Sequence, residues 1–157
     1  MARKKIKINT NVKFAIKIIA SIALTYALFE KNQLNVSIFI IILTGITWIL
    51  KKDKKAKKNQ RIVERVCDIF VFVGFSFSGG TSLTIGFISF IVIVFLGYTP
   101  YLWAKRAHLP RYFILTGAFL SQYILHITLI NEAIIACILI TLFFSIKNVI
   151  QTKYIFK

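Results

Sequence analysis

Glu64 and Asp68 are the two carboxylates that this chain sets at the start of an apolar run, with Asp68 inside it. Their i, i+4 spacing puts both on one face of a helix. Carboxylate oxygens paired in this way can share a hard divalent cation. A carboxylate at membrane depth is costly and by default marks a functional site. The competing reading is structural: Arg61, Glu64, Arg65 and Asp68 lie within two helical turns and can pair along a helix end. Spacing alone leaves both readings open.

Other polar residues give weaker signals. His126 and Gln122 are also i, i+4, deep in a later apolar run. A histidine there can relay protons or bind a metal, but no second His or Cys has the spacing to join it, so an interhelical hydrogen bond is the plainer expectation. His108 sits in a basic link and is expected to do nothing special. Cys67 and Cys137 each lie inside an apolar run, form no metal-ligand spacing, and read as packing or lipid-facing residues. No nucleophile elbow, phosphate-binding glycine loop or zinc-protease histidine pair occurs.

The elements that must carry these residues are six apolar runs: Val12 to Phe29, Leu34 to Leu50, Ile62 to about Ser78, Leu83 to Trp103, Tyr112 to Ile130 and Ala133 to about Ile150. Each is long enough for a helix to cross a hydrocarbon core of roughly 30 Å at about 1.5 Å per residue. The runs lack the alternation of barrel strands, and backbone polar groups in lipid need a helix to satisfy them. The apolar fraction is 57%, above the roughly 45–50% of a soluble domain. The chain is therefore expected to be all-α, a single six-helix membrane domain over residues 1–157, with a basic arm at 1–11 and a basic loop at 51–61. The basic start of the chain imitates a signal peptide, but without a convincing cleavage site the first run is read as a retained span.

Connections between the runs alternate in charge. Glu30 to Gln33, Gly79 to Ser82 and the junction at Asn131-Glu132 are poor in positive charge. The N-terminal arm, Lys51 to Arg65, Ala104 to Arg111 and the C-terminal tail are basic. All of the 21 Lys and Arg residues except Lys31 fall on that second side. The positive-inside rule assigns it to the cytoplasm, so both termini are expected inside a bacterial-type plasma membrane crossed several times. The net charge of +16 is then a topology signal that also attracts anionic headgroups, and nucleic acid is not an expected partner. Trp48, Tyr98, Tyr101, Trp103, Tyr112 and Tyr154 lie near the cytoplasmic boundaries and read as interface anchors. Gly79-Gly80 reads as a tight hairpin, Pro110 as a helix start, Pro100 as a kink, and Gly74, Gly86 and Gly97 as points of close packing.

Six spans with a polar stretch between the second and third resemble the CDP-alcohol phosphatidyltransferases. That family carries D-x-x-D-G-x-x-A-R-x8-G-x3-D-x3-D across this junction. With its last aspartate on Asp68, the preceding one falls on Glu64 and the arginine on Lys51, so charge is kept at three positions. The remaining motif positions are occupied by Leu43, Ile46, Thr47, Leu50 and Gln60, and both aspartates of the second span are gone. A second echo is Tyr101-Leu102-Trp103-Ala104-Lys105, similar to Y-x-x-A-R at the end of the fourth span in some members.

The resemblance implies a phosphatidyltransferase using Mg²⁺ or Mn²⁺, with Glu64 and Asp68 holding metal, Asp68 as general base, and Lys51, Arg61, Arg65 and Lys105 holding phosphates. Two metals need more carboxylate oxygens than Glu64 and Asp68 offer. The expectation is thus a catalytically degenerate relative that keeps a basic cytoplasmic cleft for phospholipid or nucleotide phosphates. The alternative is a small non-enzymatic membrane protein: a transporter-like component, an immunity or stress protein, or a subunit of a membrane complex. Membrane lipids are the expected partners, and a homodimer is an open option.

Overall fold

A computed structural model of the chain describes residues 9–52, 60–78, 81–98 and 107–155, with side chains as far as residue 151. All regular structure among the described residues is helical. The helices are α1 (Thr10–Phe29), α2 (Gln33–Lys52), α3 (Gln60–Phe77), α4 (Leu83–Phe90, continued by a π turn at Ile91–Phe95 and a 3₁₀ turn at Leu96–Tyr98), α5 (His108–Leu125) and α6 (Ile130–Ile155). Helices α1 and α2, and α6 over Ile130–Gln151, are long and apolar enough to cross a membrane.

Local chemistry sets the helix ends. Asn9 starts α1, its side chain accepting from the Asn11 N–H at 3.2 Å. At the other end the Asn32 N–H reaches the Ala27 carbonyl and the Lys31 N–H reaches that of Leu28, both at 3.1 Å. This is the paired bonding of a Schellman ending, in which Lys31 takes the left-handed position (φ 56) usually given to glycine. Asn32 then caps α2 by accepting from the Asn35 N–H. Ser82 starts α4 in the same manner, and its own N–H donates to Asn131 at the start of α6.

Three boundaries differ from the sequence reading. The fourth run leaves α geometry at Ile91, well before Pro100, and Pro100 with the rest of that run lies outside the described residues, as does Gly79-Gly80. Helix α5 starts at His108, with Pro110 in its first turn where a missing N–H costs nothing. It ends at Leu125 rather than Ile130 because His126 turns left-handed (φ 56), a conformation histidine tolerates better than most residues. The junction is therefore 126–129, and Asn131 and Glu132 belong to the first turn of α6, where the Glu132 charge suits the helix dipole.

The principal neighbours form a closed ring in the order α1, α2, α5, α6, α4, α3 and back to α1. Contacts give the directions. Thr25 of α1 donates to the Phe70 carbonyl of α3, and the start of α1 meets the start of α3, so these two run parallel. Gly86 of α4 packs on Ser76 while Tyr98 reaches Asp68, so α4 runs against α3. By the same test α1, α3 and α5 run one way and α2, α4 and α6 the other. The links at 30–32 and 126–129 share one end of the ring with the start of α4. Lys51, Lys52, Arg61, Arg65 and Arg111 fall at the opposite end.

Large apolar residues cover the outside: Ile19, Ile22 and Tyr26 on α1, Ile124 and Leu125 on α5, Leu139 and Phe143 on α6 are all largely exposed. The interior holds Lys17, Ser21, Thr44, Glu64, Asp68, His108, Arg111 and Thr141 beside the apolar core of Leu24, Ile40, Phe72, Phe75, Leu115 and Ile134. A water-soluble bundle has the reverse pattern, polar outside and apolar inside. An exterior rich in large apolar side chains with ionisable groups turned inward is the distribution lipid demands. Close approach depends on glycine at three points: a β-carbon on Gly86 would lie 2.7 Å from the Ser76 Cα, one on Gly74 2.9 Å from the Leu28 Cδ1, and one on Gly97 3.0 Å from the Thr141 Cγ2, whereas Gly45 and Gly117 face open space.

Candidate functional site

At the basic end of the ring, five helices turn polar side chains toward one point. Helix α1 buries the stripe Phe14, Lys17, Ser21 and Leu24. Helix α3 buries Gln60, Glu64, Cys67, Asp68 and Val71. Helix α5 presents His108, Arg111, Tyr112 and Leu115, spaced i, i+3, i+4, i+7 on one face. Tyr98 enters from the end of α4 and Thr141 from α6. Lys17, Glu64, Asp68, Tyr98, His108, Arg111 and Tyr112 are each no more than 3% exposed.

Asp68 is the hub. Its Oδ2 accepts from Arg111 Nη2 at 2.6 Å and from the Tyr98 hydroxyl at 2.6 Å. Its Oδ1 accepts from the Tyr112 hydroxyl at 3.0 Å. Arg111 also donates from Nη1 to the Thr141 hydroxyl at 3.2 Å. Glu64 Oε1 accepts from Gln60 Nε2 at 2.6 Å and lies 3.9 Å from His108 Nε2, while its Oε2 is buried with no hydrogen-bond partner among the described residues. Lys17 reaches across from α1, its Nζ 2.7 Å from His108 Nε2 and 5.6 Å from the centre of the Tyr112 ring. Two carboxylates thus face two cations around one imidazole, and the formal charges cancel when the ring is neutral. Unpaired, any one of these charges would be prohibitively costly in so dry a place.

His108 is held between donors. Lys17 Nζ faces Nε2, and Arg111 Nη2 lies 2.9 Å from Nδ1. A neutral imidazole has one acceptor nitrogen, not two. Either Nε2 accepts from the Lys17 ammonium and Nδ1 keeps its own proton, 3.5 Å from Asp68 Oδ2, or a Lys17 proton has moved to Nε2, leaving the neutral amine beside an imidazolium that donates from both ring nitrogens. Chemically, the pair can pass one proton between Nζ and Nε2.

The site residues expected from the sequence divide into groups. Glu64 and Asp68 come together on α3, facing the interior, with both Asp68 oxygens occupied by protein donors. Among the described residues no three His, Cys, Asp or Glu side chains are grouped as metal ligands. The Arg61 guanidinium donates to the Tyr98 carbonyl and ties α3 to the end of α4. Lys51 and Arg65 are exposed at the same basic end. Lys105 lies outside the described residues.

Four expectations need correction. His108 is central to the cluster. Tyr98 and Tyr112 are buried ligands of Asp68 rather than interface anchors, because a carboxylate at this depth needs donors more than the interface needs rings. Trp48 does sit outside, edge-on to Phe113, while Tyr101, Trp103 and the Tyr154 side chain lie outside the described set. His126 is exposed and caps the end of α5 rather than lying within that helix. Cys67 and Cys137 are buried packing residues. The signal that pointed to the missed partners was Lys17, a cation inside an apolar run, which requires a buried counter-charge.

Comparison with protein-family models, with curated proteins and with solved structures finds no match to this chain.

Proposed function

We propose that this chain is a six-span plasma-membrane protein with both termini cytoplasmic, resembling the CDP-alcohol phosphatidyltransferases in scaffold but without their catalysis. Its basic cytoplasmic end would hold the phosphates of anionic phospholipids or nucleotide-linked lipids through Lys51, Arg65 and Lys105. The observation that carries the non-catalytic reading is the saturation of Asp68 by Arg111, Tyr98 and Tyr112. A general base needs a free oxygen, and a carboxylate ligand needs an open one. Lys17 and Arg111 supply the neutralising charge that a divalent ion would otherwise bring. The orientation is supported by the alternating helix directions together with the collection of Lys51, Lys52, Arg61 and Arg65 at one end.

The test uses the purified chain in nanodiscs with CDP-diacylglycerol. The expected result is thermal stabilisation without added metal, reduced in Lys51→Gln/Arg65→Gln, and no CMP release with Mg²⁺ or Mn²⁺ and an acceptor alcohol. Metal-dependent CMP release would make it an enzyme. Absence of any phosphate-dependent stabilisation would favour the other reading, a non-enzymatic component using its basic face only for topology. Reporter fusions at 53–59 and 126–129 check the orientation; the first should report cytoplasm and the second the outside.

A further inference from the structure

The end of the ring opposite the charged cluster contains a cavity of about 230 Å³, lined by Leu28, Val36, Phe119 and Ile130 together with Lys31, Gln33, Ser78 and Gln122. Along α5, Phe119 and Gln122 lie seven and ten residues beyond Tyr112, roughly 10–15 Å further on at about 1.5 Å per residue. This is therefore a separate site.

Four independent features give it the character of an anion receptor with an apolar floor. Lys31 is the one Lys or Arg that the sequence places in a connection otherwise poor in positive charge. It is held at the cavity by a left-handed backbone (φ 56) where a glycine would be the unstrained choice. Gln33 is the first residue of α2, whose N-terminus is capped by the neutral Asn32 and whose first turn contains no acidic side chain, so no charge opposes the positive end of that helix dipole within its first turn. Helix α6, which also begins at this cavity, has its own Glu132. Ser78 is 8% exposed, and its hydroxyl has no hydrogen-bond partner among the described residues, which a bound acceptor would remedy. Among the described residues no carboxylate lines the cavity. Leu28, Val36, Phe119 and Ile130 are buried and supply the apolar floor.

We propose that this cavity binds the head of a singly chained anionic amphiphile, an oxyanion against Lys31, Ser78 and the α2 N-terminus with the start of its chain on Phe119 and Val36. A fatty-acid carboxylate and a lysophospholipid phosphate share this chemistry. The site is independent of the phosphatidyltransferase resemblance, so failure here leaves that reading standing.

The experiment measures retention of oleate, oleoyl lysophosphatidate and oleyl alcohol by the full chain in an uncharged maltoside detergent, by native mass spectrometry. Either anion binding one per chain, and at least about tenfold tighter than the alcohol, supports the site and names its head group. Lys31→Gly keeps the turn, since glycine suits that backbone, and should weaken anion binding about tenfold or more, the scale of one charge-assisted hydrogen bond. Ser78→Ala should weaken it by about two- to tenfold, and Lys147→Gln, on the exposed surface of α6, should leave it unchanged. Equal binding of oleyl alcohol, or undiminished anion binding in Lys31→Gly, would overturn the proposal.

Discussion

Removing the charge of Asp68 is the most direct test of the buried cluster. Asp68→Asn keeps the shape but leaves Arg111 without its counter-ion, and it replaces one charged acceptor of the two tyrosine hydroxyls by an amide. At the 2.6 Å separation of Arg111 Nη2 and Asp68 Oδ2, the raw attraction is about 6 kcal/mol at an effective dielectric constant of about 20. Part of that offsets the desolvation of both groups. Stranding one member of a buried pair costs about 3–5 kcal/mol, and this is the expected loss. It should be read as unfolding free energy in mixed micelles, alongside the membrane-inserted fraction. Arg111→Gln alone should cost a similar amount. Asp68→Asn/Arg111→Gln should cost much less than the sum, because neither charge is then stranded, giving a coupling of at least about 2 kcal/mol. Asp68→Asn within about 1 kcal/mol of the parent, or strict additivity in the double variant, would refute the view that this pair is structural. An enzyme whose carboxylate serves only chemistry would keep its stability and lose its activity.

Lys17→Met should destabilise by about 3 kcal/mol by stranding Glu64, and adding Glu64→Gln should restore most of it; chemical unfolding in micelles measures both. Gly86→Ala should cost about 1–3 kcal/mol because its β-carbon meets backbone at Ser76, which cannot swing aside, and size-exclusion profiles after heating should show the loss. Gly45→Ala and Gly117→Ala face open space on helices and should instead raise stability by up to about 1 kcal/mol each. Lys31→Gly should stabilise the α1–α2 turn by about 1 kcal/mol in the same melting assay, by relieving the left-handed lysine.

The existence of six helices was legible because their apolar runs are long and their connections alternate in charge. The ends of α5 and α6 were not. His126-Ile127-Thr128-Leu129 contains neither glycine nor proline, so nothing in composition separates it from the run before it, and only the backbone turn at His126 ends the helix. The departure from α geometry at Ile91 is equally silent in a stretch of uniform Ile, Val and Phe. At the site, Glu64 and Asp68 stood out because carboxylates are scarce in this chain. Their partners did not. Arg111 and His108 belong to a link rich in cations, where any one of them reads as a topology signal, and Tyr98 and Tyr112 sit where interface aromatics are ordinary. Which members of such a set turn inward depends on helix phase and on the partner across the ring, and local sequence encodes neither strongly.

The position of the cluster has a physical logic in lipid. Apolar contact gives little net drive for helices to associate in a bilayer, since the lipid tails are as apolar as leucine. Small residues that allow close approach and polar groups that need one another must then specify the packing. Asp68 is satisfied by residues from α4 and α5, Arg111 extends the contact to α6, and Lys17 brings in α1. Helix α2 joins through Thr44, whose hydroxyl lies 2.8 Å from that of Thr116 and bonds the Tyr112 carbonyl. A register slip of one residue on α5 would turn His108, Arg111 and Tyr112 about 100° away at about 3.6 residues per turn and strand Asp68 among apolar side chains. The charges therefore select one arrangement of all six helices, whether or not the cluster also handles a proton, and this selection accounts for costly groups in a core that apolar residues alone could have filled.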